Sequence, residues 1–220
     1  MQMVYPFRGS IQQYIDCVDS IEEANRCRPA TCPRCESKQR LVCHGFYMRT
    51  VVEFGWDGVI RVRRYLCKAC RRTVSLLPEF VLPYLRFAIV VIATFLRARL
   101  WRGETLKAAA ETARQVSMPY QRGQQWVRRF RAQAESISAA LSALARPVVA
   151  GDFVEKAIRM LEAIGWIEAH RFLFQHLRQH VLGWPRFLAP SGIAVTIRAA
   201  IHHGGQSPQS TCMDSESPPA

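Results

Sequence analysis

The sequence predicts an α+β fold, a small antiparallel β domain followed by an all-α bundle. Three observations carry this prediction. Two Cys-x-x-Cys pairs, Cys32/Cys35 and Cys67/Cys70, bracket a stretch rich in Val, Ile, Phe and Tyr. Beyond Pro83, apolar residues recur every three or four positions, the spacing of one helix face. Prolines and polar runs mark the joints. The expected divisions are a leader at 1–28 whose structure the pattern leaves open, the β domain at 29–80 and a helical domain at 81–147. A C-terminal helical segment at 148–190 and a largely disordered tail at 191–220 follow.

Within the leader, "IQQYIDCVDSIEEANRC" has the makings of a short helix, which Pro29 and Pro33 break. "RLVCHGFYMRTVVEF" and "GVIRVRRYL" read as strands, with the turn between them expected at Asp57-Gly58. Two or three antiparallel strands are expected, closed off by Pro78 and Pro83. "YLRFAIVVIATFLRARLW", 84–101, reads as a mostly buried helix ended by Gly103. In "ETLKAAAETAR", 104–114, Leu106, Ala109, Ala110 and Ala113 share one face. A break at "QVSMP" follows, with Ser117 suited to N-capping and Pro119 to the first turn. The next helix, about 118–145, has Trp126, Phe130, Ala134, Ile137, Leu141 and Leu144 on its apolar stripe and ends at Pro147. Helices around 152–165 and 167–181 complete the bundle.

The charge is the unusual total. Lys+Arg number 30 against 17 Asp+Glu, a net charge of +13. Residues 32–147 alone hold 21 of the cations and only 7 of the acids. A bias in base composition would favour arginine over lysine, but it would not remove the matching carboxylates. A focused basic surface implies a polyanionic partner, most often nucleic acid. The longest apolar run, "FAIVVIATFL", is too short to span a bilayer, so no membrane role is expected. "MQMVYPFRGS" lacks the features of a signal peptide, so the eight cysteines are read as thiols in the cytoplasm, with the protein associated with the nucleoid.

The four paired cysteines predict a metal site. Two cysteines two residues apart on a tight turn present both sulfurs to one ion, and a hairpin brings two such turns together. Cys32, Cys35, Cys67 and Cys70 are therefore expected to hold one structural zinc ion in a zinc ribbon. Four thiolates fill the tetrahedral shell and leave no position for catalytic water. A redox pair would need a βαβ setting, which the pattern lacks. Cys43 reads as a packed strand thiol, His44 is surplus, and Cys17, Cys27 and Cys212 have no partner spacing.

The helices at 104–134 have the order of a helix-turn-helix. Trp126, Val127 and Phe130 face the core, while Arg122, Gln125 and Arg129 fall opposite, flanked by Gln121, Arg128 and Arg131. Gln121, Arg122 and Gln125 are expected to reach base edges, for which forked donors are suited. Arg128, Arg129 and Arg131 are expected on phosphates of double-stranded DNA. Gly123 inside this helix weakens it, or marks a close packing contact. An ordinary helical hairpin with a solvated basic face is the alternative. An interaction module is another, and a third is RNA binding through Phe46, Tyr47, Phe54 and Trp56.

"CPRC", "HGFYMR", "RRYLCKACRRTVSLLPEFVLPY" and "QQWVRRFR" together resemble a bacterial insertion-element transposase-like family, described as a domain of unknown function, with a zinc ribbon followed by a helix-turn-helix. The resemblance covers about residues 30–135. It implies DNA binding, recognition of element ends or regulation, and zinc on the same four cysteines. A recombinase or a second copy of the chain is the protein partner it suggests. No enzyme is expected, because a DNA-cutting core needs three carboxylates holding two metal ions. After Pro147 the acids before the tail are Asp152, Glu155, Glu162 and Glu168, which read as solvated helix faces. His176 and His180 stand one helical turn apart, but with no third ligand they and His170 read as surface histidines.

Overall fold

A computed structural model describes residues 1–18, 27–39, 41–146 and 149–183. The expected disordered tail lies outside them. A four-stranded sheet is followed by helices, so the mixed α and β character matches the expectation. The leader departs from it. β1 (Gln2–Tyr5) pairs parallel with β4 (Thr73–Pro78), from Gln2 opposite Ser75 to Tyr5 opposite Pro78. The sheet order is β1-β4-β3-β2, so β4 is interior and is buried from Val74 to Pro78. α1 (Ile11–Cys17) begins at a capping box: Gln13 N–H donates to Ser10 Oγ, and Ser10 N–H to Gln13 Oε1. It buries Ile11 and Tyr14 against the hairpin, and the Tyr14 hydroxyl donates to the Arg61 carbonyl at 2.9 Å.

β2 (Val42–Glu53) and β3 (Trp56–Leu66) form the long antiparallel hairpin. Its turn is Phe54–Gly55, not Asp57-Gly58. Gly55 has φ +70, which a residue without Cβ adopts freely, while Asp57 lies in the strand opposite Val52 and pairs with Arg86 at 2.8 Å. A register shift between Cys43 and Phe46 bulges β2 and leaves Cys43 and His44 exposed, so Cys43 is not the packed thiol its strand pattern suggests.

α2 (Ile89–Leu96) starts later than position 84, for a backbone reason. Val52 N–H donates to the Arg86 carbonyl and Ala88 N–H to the Val52 carbonyl, both at 2.8 Å, so residues 86–88 run extended along β2. Arg49 adds to this joint by donating to the Leu82 and Leu85 carbonyls. A π-helical turn, Arg97–Trp101, continues α2. α3 (Leu106–Thr112) is capped by Thr105, whose Oγ1 accepts from Ala108 N–H. It ends in a Schellman motif: Gln115 N–H reaches the Ala110 carbonyl, Arg114 N–H the Glu111 carbonyl, and Arg114 takes φ +53.

α4 (Tyr120–Leu141) follows a turn in which Met118 N–H donates to the Gln115 carbonyl. That turn moves the helix start past Ser117, and Pro119 takes the N-cap position with no side-chain bond. Trp126, Phe130, Ala134, Ile137 and Leu141 are buried as expected, but Leu144 lies beyond the helix and is 47% exposed. α5 (Phe153–Ile164) is N-capped by Asp152, and α6 (Trp166–Leu177) ends at Arg178, which has φ +51. One apolar core runs through the helices and includes Val52 and Phe87. A second joins α1 to the hairpin, and a third surrounds the paired cysteines.

Candidate functional site

The hairpin and β4 set the cysteine pairs. Cys67 directly follows β3, and Thr73 returns as β4, so Cys67–Arg72 is a tight connection. The two cysteine turns have the same backbone design. Cys32 N–H donates to the Ser37 carbonyl and Cys67 N–H to the Arg72 carbonyl, each at 3.0 Å and each spanning five residues. The residue after each pair, Glu36 or Arg71, takes the left-handed conformation with φ +56 or +53. Both turns therefore fold their sulfurs inward without glycine.

The ligand atoms of Cys32, Cys35, Cys67 and Cys70 all lie within 4.8 Å of one another. Cys32 Sγ is 3.8 Å from Cys70 Sγ, and Cys35 Sγ is 3.7 Å from Cys67 Sγ. Four sulfurs about 2.3 Å from a tetrahedral ion stand about 3.8 Å apart. The four thiols are thus arranged to hold one metal ion, as their spacing predicts. Leu41, Tyr65, Val74 and Leu76 enclose them, Cys32 and Cys67 are buried, and Cys35 is exposed. Burial opposes ionisation of Cys32, but the N–H groups of Cys35 and Arg34 and the neighbouring thiols outweigh it and bring its pKa down to about 7. Cys35 moves the other way. The Ser37 N–H favours its anion, yet partial burial and the adjacent sulfurs push it up to about 11. Cys32 is therefore the readier of the two to ionise and Cys35 the more resistant, and a bound divalent cation takes the place of such thiol protons.

Cys27, to which no spacing pointed, packs against this cluster. Burial, and then a hydrogen bond with Cys27, push the Tyr5 pKa up to about 12. Only tertiary structure brings Cys27 here, since no Cys-x-x-Cys pattern marks it.

The six residues expected to contact DNA separate into two groups. Gln121, Arg122, Gln125, Arg128 and Arg131 are exposed along α4, and among the described residues none of these side chains makes a hydrogen bond or ion pair. Arg129 is turned inward. Its Nε donates to the Leu182 carbonyl at 2.6 Å and its Nη2 to the Gly183 carbonyl, and burial lowers its pKa. It anchors the 178–183 strap rather than facing outward with the others. Behind the exposed face, a Cβ on Gly123 would stand 2.8 Å from Phe95 Cζ. Its role is close packing of α4 on α2. The connection Ala113–Pro119 between α3 and α4 is seven residues, longer than the five-residue break expected at "QVSMP".

The other expected positions are occupied by structural contacts. The guanidinium groups of Arg61 and Arg63 lie 4.2 and 4.8 Å from the Phe46 ring centroid, and Phe46, Tyr47, Phe54 and Trp56 are each half-buried against the cores. Asp152 caps α5, and Glu155 pairs with Arg159. Glu162 accepts from Arg97 and from the Trp166 indole at 2.6 Å, so it too is a structural group rather than a solvated acid. His170 and His180 are 0% and 1% exposed, not on the surface, because His180 lies past the end of α6 and folds back beneath Leu182. Its Nδ1 accepts from Leu182 N–H, leaving Nε2 to donate to the Pro83 carbonyl.

A family described as a domain of unknown function (DUF6431) matches residues 32–116, which takes in both cysteine pairs, the sheet after β1, α2 and α3. The similarity carries no activity and no link to insertion elements. No curated protein and no solved structure matches the chain. No helix among the described residues is long and apolar enough to cross a membrane.

Proposed function

We propose that this chain is a zinc-stabilised, sequence-recognising DNA-binding protein of the transposase-related kind, acting at element ends or in regulation without a catalytic core of its own. The observation that carries the reading is the two-sidedness of α4. Trp126, Val127 and Phe130 are buried, while Gln121, Arg122, Gln125, Arg128 and Arg131 stand exposed in one run. A side chain with no partner inside the protein has no internal bond to give up on meeting a base or phosphate, and Arg and Gln supply the forked donors that base edges select. α4 also lacks a side-chain cap, so the N–H groups of its first turn favour a phosphate. In this reading α3 and α4 are the helix-turn-helix, and Gln121, Arg122 and Gln125 read bases. Arg128 and Arg131 hold phosphates.

Zinc is the ion we assign to the four thiols, on the softness of the ligands and their tetrahedral spacing. Its role is to close the two cysteine turns and stabilise the small sheet domain. Double-stranded DNA is the partner. A recombinase or a second copy of the chain would supply the remaining machinery.

A mobility-shift series over salt concentration tests the reading. Several phosphate contacts predict a steep linear fall in log affinity with log salt, about 0.9 per phosphate. Arg122→Ala should relax sequence preference. Uniform weakening on all sequences would remove Arg122 from the bases, and no shift at low salt with metal bound would end the DNA assignment.

A further inference from the structure

The two cysteine turns carry more than ligands. Arg34 and Lys38 belong to the first, Lys68, Arg71 and Arg72 to the second, and all five are exposed. Among the described residues none of these side chains has a hydrogen-bond or ion-pair partner. The sulfurs lie within 4.8 Å of one another, so the turns that carry these cations meet at one place. The Met1 amino group, which donates to the Thr73 carbonyl at 2.8 Å next to Arg72, adds a further cation here, its pKa lowered by burial and then by Arg34 and Arg72.

We propose that these five cations form a second phosphate-contacting surface, which lays the metal centre against the backbone of duplex DNA. The inference rests on the reading of the chain as a DNA-binding protein and adds a sequence-independent contact to those proposed for α4. The competing role for the cations is to offset the thiolates. A divalent ion with four thiolates carries two negative charges, and Glu36 adds a third among these residues. Five cations exceed that, so the surface stays positive with the metal bound. Their placement also favours a partner outside the protein. A group that served the sulfurs would turn toward them, as the Arg34 and Cys35 N–H groups do, whereas the five side chains extend into solvent. Charges fixed on metal-locked turns suit phosphates, which need position more than base information.

The test neutralises three cations at once in the full chain, as Arg34→Gln, Arg71→Asn and Arg72→Gln. Asparagine is chosen at 71 because it tolerates the positive φ there. Affinity for a duplex and for a scrambled duplex is measured across salt, together with zinc per chain by elemental analysis. The expected result is a salt slope shallower by about 2 to 3 and affinity at least ~10-fold weaker near 0.1 M salt, equally on both duplexes, with zinc retained. An unchanged slope with zinc retained overturns the proposal. So does loss of zinc, which would return the cations to the thiolates. Arg122→Ala run in parallel separates the two readings. If it binds both duplexes like the parent while the triple variant weakens, the α4 assignment fails and this surface stands. If the parent itself binds neither duplex, both fall.

Discussion

Gly123→Ala sets helix propensity directly against packing. In an open helix, alanine at this position would stabilise by about 1 kcal/mol. Here the new methyl would meet Phe95 Cζ at 2.8 Å, Phe95 Cε2 at 3.4 Å and Leu106 Cδ2 at 3.6 Å. Phe95 is 0% exposed and stacks edge-on with Trp126 at 5.3 Å, and Trp126 meets Phe87 in the same way at 4.9 Å. The ring therefore has no free direction in which to yield, and the contact is overpacking, typically worth 1–3 kcal/mol of destabilisation. Subtracting the propensity gain leaves a net loss of about 1 kcal/mol, or ~2–4 °C in Tm for a unit of this size. Urea denaturation followed by tryptophan fluorescence measures it. Phe95→Leu in the same background should recover part of the loss, giving a coupling between the sites that independent positions would not show. A gain of about 1 kcal/mol from Gly123→Ala would refute the packing account and with it the close seating of α4 on α2.

Three further outcomes follow from the contacts described. Cys67→Ser should abolish stoichiometric zinc and loosen the sheet around Tyr65; because bound sulfurs must be deprotonated, zinc affinity in the parent should fall as pH drops, with about 2–4 protons released per ion in calorimetry across buffers. Arg129→Ala should lower stability by about 1–3 kcal/mol by leaving the Leu182 and Gly183 carbonyls unserved, while duplex preference stays as in the parent; a changed preference would put Arg129 on DNA after all. Burial holds His170 and His180 neutral; His180 lowers His170 further, and Arg129 adds to burial in bringing His180 down to about 3. The unfolded chain takes up these protons below about pH 6.5 and the folded chain does not, so stability is complete above that pH. It then falls by about 1.4 kcal/mol per unit per histidine on acidification, and His170→Phe should make the slope shallower.

What could be read in advance follows the range of each interaction. The cysteine pairs and the long hairpin were legible because ligand spacing and strand alternation are local. The turn was not, since "FGWDG" offers two glycines and the Asp57–Arg86 pair holds the second inside a strand. β1 is four residues long and acquires its strand only from β4, whose first partner lies 73 positions on. Arg129 has the same spacing as its exposed neighbours, and its carbonyl partners come from the far side of two helices. His176 is exposed as expected, but the reading of His170 and His180 failed for the same reason. Their burial depends on the chain reversing after Leu177, where Arg178 rather than glycine takes the left-handed position.

The 178–183 strap has a consequence for how the chain emerges during synthesis. α4 is complete at Leu141, yet the carbonyl that receives the Arg129 Nε proton follows 53 residues after Arg129 itself. Val181 and Leu182, both 0% exposed, close the core at the same moment, and Gln179 then bonds Ser136 at 3.0 Å. Until the ribosome has released that stretch, a basic, partly uncovered helix waits beside an RNA-rich machine, with nothing of its own to hold Arg129. A chain ending at Leu177 should therefore be open to protease along α4, and one that has the 178–183 strap free to dock should be protected there.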